Sequence, residues 1–240
     1  MVKRIYIDAG HGGNDVGAVG YVKERTVNVK VVKYMKEYLQ NHYVCKLKLS
    51  KGTTGLNGRC QEANRWKADL FVSVHFNAGG GDGYEALVYS AANKKLGQCF
   101  EKHVKAVGQN SRGVKYRPDL AVLRLTNMKA ILNEVAFVDN RKDIKDWNEN
   151  SELKVMGEAL AKAAAEWLNL PAANRSYITQ YNMNIRKAPT MRSAIVGKVS
   201  KGKLVTGTVE GSWLKTNEGY IRIEGEKTYL KEKVYLKARK

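Results

Sequence analysis

Cysteine is scarce in this chain. It has three in 240 residues. Cys45, Cys60 and Cys99 show neither metal-ligand spacing nor an evident disulfide framework. A disulfide-stapled secreted fold and a cysteine-built zinc site are therefore both set aside, and free thiols suit folding in a reducing compartment. No apolar run approaches the roughly 20 residues needed to span a bilayer. No secretory leader is expected, because Met1-Val2-Lys3-Arg4 runs straight into a short strand. Acidic residues are few beside basic ones: 23 Asp and Glu stand against 42 Lys and Arg, a formal net charge of +19. The excess is steepest at the end, where residues 172–240 carry 15 basic and 5 acidic side chains. Such a balance implies a polyanionic partner. Nucleic acid is disfavoured, since the chain has no base-reading module and no basic motif with interleaved aromatics.

Four residues in the first 134 positions stand out: His11, Glu24, His75 and Glu134. His11 follows the strand formers Ile5, Tyr6 and Ile7 and lies among Gly10, Gly12 and Gly13. Ligand sites in open α/β sheets lie beyond such strand ends, although a turn histidine with no role has the same look. Glu24 precedes a helical pattern with Val27, Val31, Tyr34, Met35 and Tyr38 on one face. An acid there also suits the helix dipole. His75 ends the apolar run Leu70 to Asn77, which reads as a strand buried on both faces. Its alternative is a core histidine bonded to a hydroxyl or backbone group. Glu134 lies inside another such run, Ile131 to Val138. A buried carboxylate must take up a proton or find a cation, and Arg117 and Arg124 are candidate partners. Two imidazoles and a carboxylate can hold zinc and leave a position for water. A second carboxylate beside that water can act as general base. His42, at a helix end, and His103, in the polar stretch 94–110, read as structural.

These motifs, in this order, resemble the zinc-dependent N-acetylmuramoyl-L-alanine amidases of bacterial cell-wall lysis. The matching pieces are Asp8-Ala9-Gly10-His11-Gly12-Gly13 with Asp15 and Gly17-Ala18, then Glu24 with Asn28, then Arg59 with Ala63-Asn64. Ser73-Val74-His75-Phe76-Asn77-Ala78, Leu123-Arg124 and Ile131 to Asn140 with Asp143 complete the set. The resemblance covers about residues 1–170, and Ala9 stands where the family usually has proline. It implies one zinc ion held by His11, Glu24 and His75, with Glu134 catalytic. The bond cut would join the lactyl group of N-acetylmuramic acid to L-alanine. Asn77 is a candidate substrate contact, with a turn role as its alternative.

Apolar runs alternate with helical patterns up to the strong helix over 151–169, and Pro171 follows. The expectation is an α/β catalytic domain over residues 1–171, with a mostly parallel twisted sheet flanked by helices. Short segments split by Gly and Ser then predict a small all-β domain over 175–240. Asn184-Ile185-Arg186-Lys187-Ala188-Pro189, with Gly211-Ser212-Trp213, resembles a bacterial SH3-like barrel of the kind that binds cell-wall peptide. Trp213 and Tyr220 suit core packing and wall contact alike. Peptidoglycan and its anionic polymers are then the expected partners, with no nucleic acid and no membrane. A wall hydrolase without a leader resembles a phage endolysin, made in the host cytoplasm and acting after release; a prophage or bacterial autolysin is the alternative origin. Two other readings stay open: an inactive muropeptide-binding protein, and a zinc endopeptidase cutting another wall amide.

Overall fold

Alternation of side chains along the strands fixes the first sheet. In β1 (Arg4–Ala9), Ile5 and Ile7 enter one apolar layer and Tyr6 enters another. In β3 (Leu70–Asn77), Leu70, Val72, Val74 and Phe76 join the first layer, while Phe71 joins the second and stacks on Tyr6 at 5.3 Å. Helix α1 (Glu24–His42) covers the first layer through Val27, Val31, Met35 and Leu39. Helix α6 (Asn150–Leu168) does the same through Leu153, Met156 and Leu160. The second layer is closed by α2 (Leu56–Arg65), through Cys60 and Ala63, and by the single turn α4 (Ala121–Arg124), through Val122 and Leu123. These strands are buried on both faces, which is why they read as unbroken apolar runs.

The computed structural model describes residues 1–52, 55–225 and 227–232. The chain divides into two units, Met1–Leu170 and Pro171–Lys240. The first holds a six-stranded sheet in the order β2 (Lys46–Leu49), β1, β3, β6 (Lys129–Phe137), β4 (Tyr84–Val88), β5 (Ser111–Tyr116). All neighbours run parallel except β4 and β6. That exception follows from chain length. Residues 78–83 link β3 to β4, too few for the dozen or more that a parallel crossover needs, so β4 runs back. Helix α3 (Lys94–Lys105) adds Leu96, Phe100 and Val104 to the first layer. Helix α5 (Arg141–Asp146) is capped by Asn140, whose side chain accepts from the amides of Lys142 and Asp143. Helix α6 ends at Asn169 in the left-handed conformation, two residues before Pro171.

The second unit is all β. Its strands are β7 (Asn174–Thr179), β8 (Met183–Arg186), β9 (Ile195–Val199), β10 (Leu204–Glu210), β11 (Trp213–Lys215), β12 (Tyr220–Arg222) and β13 (Leu230–Glu232). They pair antiparallel in the order β13-β7-β10-β11-β12-β8-β9. Tyr177, Ile185, Leu214, Ile221 and Leu230 form the core. Strand β7 begins at Asn174, one residue before the expected start of the second domain. Residues 226 and 233–240 of the expected second domain lie outside the described residues. Among the described residues, no helix is long and apolar enough to cross a membrane.

Candidate active site and metal centre

The site lies at the carboxyl ends of β1, β3 and β6. Beyond β1 the chain turns sharply, and His11 is held at φ 64°, a conformation that costs a non-glycine residue energy. Arg59 fixes this turn from α2. Its guanidinium donates to the Asp8 carboxylate at 3.1 Å, to the Ala9 carbonyl at 3.0 Å and to the His11 carbonyl at 2.7 Å. Ser73 donates to the other Asp8 oxygen at 2.8 Å, so this fully buried acid is paired and bonded. Glycine is required nearby for space. A Cβ on Gly10 would lie 2.3 Å from the His75 ring. One on Gly17, whose φ is +68°, would lie 2.5 Å from Glu24 Oε2.

Three expected ligands meet here. Glu24 opens α1 and is buried. His11 Nε2 lies 3.0 Å from Glu24 Oε2, and His75 Nδ1 lies 2.9 Å from Glu24 Oε1. One donor atom from each residue falls within 4.8 Å of the other two. The carboxylate also accepts from the Ala18 amide at 2.9 Å and the Phe76 amide at 3.2 Å. Burial pushes the Glu24 carboxyl upward, but the hydrogen bonds from His11 and His75 outweigh it and hold the group well below the usual range. His11 is pushed up to about 9, chiefly by its bond to Glu24. The other His11 nitrogen, Nδ1, lies 2.8 Å from Asp15 Oδ2. A carboxylate behind an imidazole in this way fixes ring orientation and tautomer at metal sites. Two imidazoles and a carboxylate converging on one point are a donor set that fits a divalent ion such as zinc.

Glu134 stands beside this trio. It is the register partner of His75 across β3 and β6, and a register shift in that pair follows between His75 and Asn77. Bulges of this kind re-aim side chains next to active sites. Glu134 Oε2 is cut off from solvent and has no hydrogen-bond partner among the described residues. Arg117 grips Asp119 instead, through Nε at 2.9 Å and Nη2 at 2.7 Å. Burial raises the Glu134 carboxyl to about 7, against the pull of His75. An unpartnered carboxyl titrating near neutrality is what a general base requires. A cleft of about 370 Å³ opens beside His11 and His75, lined also by Leu56, Arg59, Leu120 and Val122.

Asn77 has two hydrogen-bond partners within the protein. Its Nδ2 donates to Glu85 at 3.3 Å and its Oδ1 accepts from the Ala78 amide at 2.8 Å. Sequence reasoning missed Glu85, the β4 register partner of Glu134. Glu85 Oε1 accepts from Arg112 Nε at 2.6 Å and from Lys115 Nζ at 2.5 Å. The signal was available: like Glu134, Glu85 is a carboxylate inside an apolar strand, Tyr84-Glu85-Ala86-Leu87-Val88. His103 and Cys99 are also less isolated than their sequence context suggested, for the fold brings both to Glu166. Lys102 already bonds both Glu166 oxygens, at 2.8 and 2.7 Å, and His103 Nε2 lies 2.8 Å from one of them. This is an ion-pair network joining α3 to α6.

Residues 5–166 match the sequence profile of a family described as N-acetylmuramoyl-L-alanine amidase. An endolysin of Bacillus phage SPP1 is 39% identical over 184 residues, covering 71% of this chain and 68% of the phage protein. An N-acetylmuramoyl-L-alanine amidase of Bacillus licheniformis is 34% identical over 179 residues, covering 71% and 70%. Among solved structures, the fold resembles the catalytic domain of an N-acetylmuramoyl-L-alanine amidase from Bacillus (Paenibacillus) polymyxa. The TM-score is 0.67 at 28% identity, over 71% of this chain and 100% of that domain.

Proposed function

The chain belongs to the N-acetylmuramoyl-L-alanine amidase family, and from that premise we propose that it hydrolyses the amide between N-acetylmuramic acid and L-alanine in peptidoglycan, with one zinc ion held by His11, Glu24 and His75 and with Glu134 as general base. The observation that carries the reading is the unpartnered Glu134 carboxyl, set across one strand pair from a converging His-Glu-His donor set.

When bound, zinc would supply Lewis acidity that acidifies a water and polarises the scissile carbonyl. The chain's own residues do the rest. Asp15 orients the His11 ring, and Arg59 holds the turn that carries it. Glu24 is kept ionised by its two imidazole partners, as a ligand must be. Glu134 removes the proton from the attacking water. The same carboxyl then returns that proton to the departing L-alanine nitrogen, so the products are a muramoyl carboxylate and a free peptide amine.

The second unit is read as an SH3-like barrel that holds the enzyme on the wall. Seven short antiparallel strands and a strongly basic composition support this. Trp213 is buried, so its ring contributes packing. The similarity to a phage endolysin supports a lytic role of that type, with anionic wall polymers as partners of the basic unit.

The test is mass spectrometry of soluble products from purified peptidoglycan. Free stem peptides beginning at L-alanine are expected. Cleavage within the peptide or the glycan would overturn the assignment.

A further inference from the structure

We propose that Arg112 and Lys115, on β5, select substrates whose stem peptide carries a free carboxylate at the second residue beyond the scissile amide. The inference rests on the amidase reading and names the substrate class of that site.

His75, Glu134 and Glu85 are register partners across β3, β6 and β4, so their side chains form one row on one face of the sheet. Two cations close the row. Arg112 and Lys115 both bond Glu85 Oε1, and Glu85 itself is only 5% exposed. One carboxylate against two cations leaves a positive charge. That charge faces solvent, since the two side chains are 42% and 41% exposed. The Arg112 guanidinium is also packed 5.4 Å from the centre of the Phe137 ring. It gives only Nε to Glu85 among the described residues, so its planar fork keeps donors for an anion.

Substrate chemistry fixes which anion this is. The muramoyl side spends its carboxyl group in the scissile amide and is otherwise neutral there. The nearest anion is therefore on the peptide side. Strands lie about 4.8 Å apart, so β5 is about 10 Å from Glu134. Two extended residues span about 7 Å, and the Arg112 and Lys115 heads reach back from β5 to Glu85 on β4, so a carboxylate on the second residue meets the cationic pair. Phosphate of a wall polymer is the other anion that could meet it, and a defined substrate without phosphate separates the two sources.

The experiment compares two soluble muramoyl peptides that differ only at the second residue, D-isoglutamate against D-isoglutamine. The wild-type enzyme should favour the free acid by about tenfold in kcat/KM, the scale of one charge-assisted hydrogen bond, with the difference residing in KM. In Arg112→Gln and in Lys115→Met the acid-to-amide ratio should fall towards one, and Arg112→Lys should keep part of it. Equal kcat/KM for the two peptides in the wild type would overturn the inference. So would variants that lose rate on both peptides while keeping the ratio. Failure of the wild type to cut either peptide at the muramoyl amide would refute the amidase reading, and this inference with it.

Discussion

His75 and Glu134 stand opposite each other in β3 and β6, one an expected metal ligand and the other a carboxyl with an unpartnered oxygen. Nearly 60 residues separate them in the chain, yet parallel pairing sets them side by side on one face of the sheet. In the proposed mechanism this arrangement divides the work: His75 shares Glu24 with His11, while the Glu134 oxygen without a partner among the described residues is assigned to proton transfer.

On this division, Glu134→Gln removes the base and leaves the ligands. Turnover should fall by about 10²- to 10⁴-fold. Bound zinc and the unfolding temperature should stay close to wild type, since the amide fills the same space. Steady-state kinetics beside metal analysis checks this, and near-normal turnover removes Glu134 from the mechanism.

Asp15 touches no ligand atom of the trio directly, because it holds the far nitrogen of His11. Asp15→Asn should weaken zinc binding by about 10- to 100-fold. Competition with a chromogenic chelator measures the affinity. An unchanged value would show that Gly12, Gly13 and Arg59 alone orient the ring.

Arg59 and Asp8 are both buried and paired at 3.1 Å. Arg59→Met strands the Asp8 charge. The cost should be about 3–5 kcal/mol, read as a lowered denaturation midpoint. Arg59→Met with Asp8→Asn should recover part of that loss.

The metal-free protein should show a specific pH signature. His11 is raised from 6.5 to about 9 by Glu24, so its contribution to stability is complete below pH 6.5 and disappears as pH rises through 9. Glu24 is depressed, so its contribution is present above the ordinary carboxylate range and disappears in acid. The difference in unfolding temperature between chelated wild type and chelated His11→Gln should therefore shrink from pH 6.5 to pH 9. A constant difference would contradict the proposed pairing.

The legible parts of the sequence were those whose signal is local. Strands β3 and β6 announced themselves as apolar runs because both faces are buried, and Glu134 stood out as a charge within one. Glu24 alone resembled an ordinary helix start. Only folding brings it between two imidazoles. The mostly parallel sheet is legible, but the reversal of β4 is not, because direction depends on a linker length weighed against the whole sheet. Arg112 and Lys115 lie 27 and 30 residues from Glu85 on a half-exposed strand, where cations draw no notice. Asn77 stands two residues beyond His75 in the same motif, and in the fold its Nδ2 reaches Glu85 while its Oδ1 serves the turn.

The most direct measurement is a zinc titration of the metal-stripped enzyme, with turnover on peptidoglycan followed at each addition, for wild type and His75→Ala together. Wild-type activity should start near zero, rise linearly and level off at one zinc per chain, while His75→Ala should neither hold the ion after dialysis nor regain turnover. Full activity without metal, or full metal content in His75→Ala, would contradict the account.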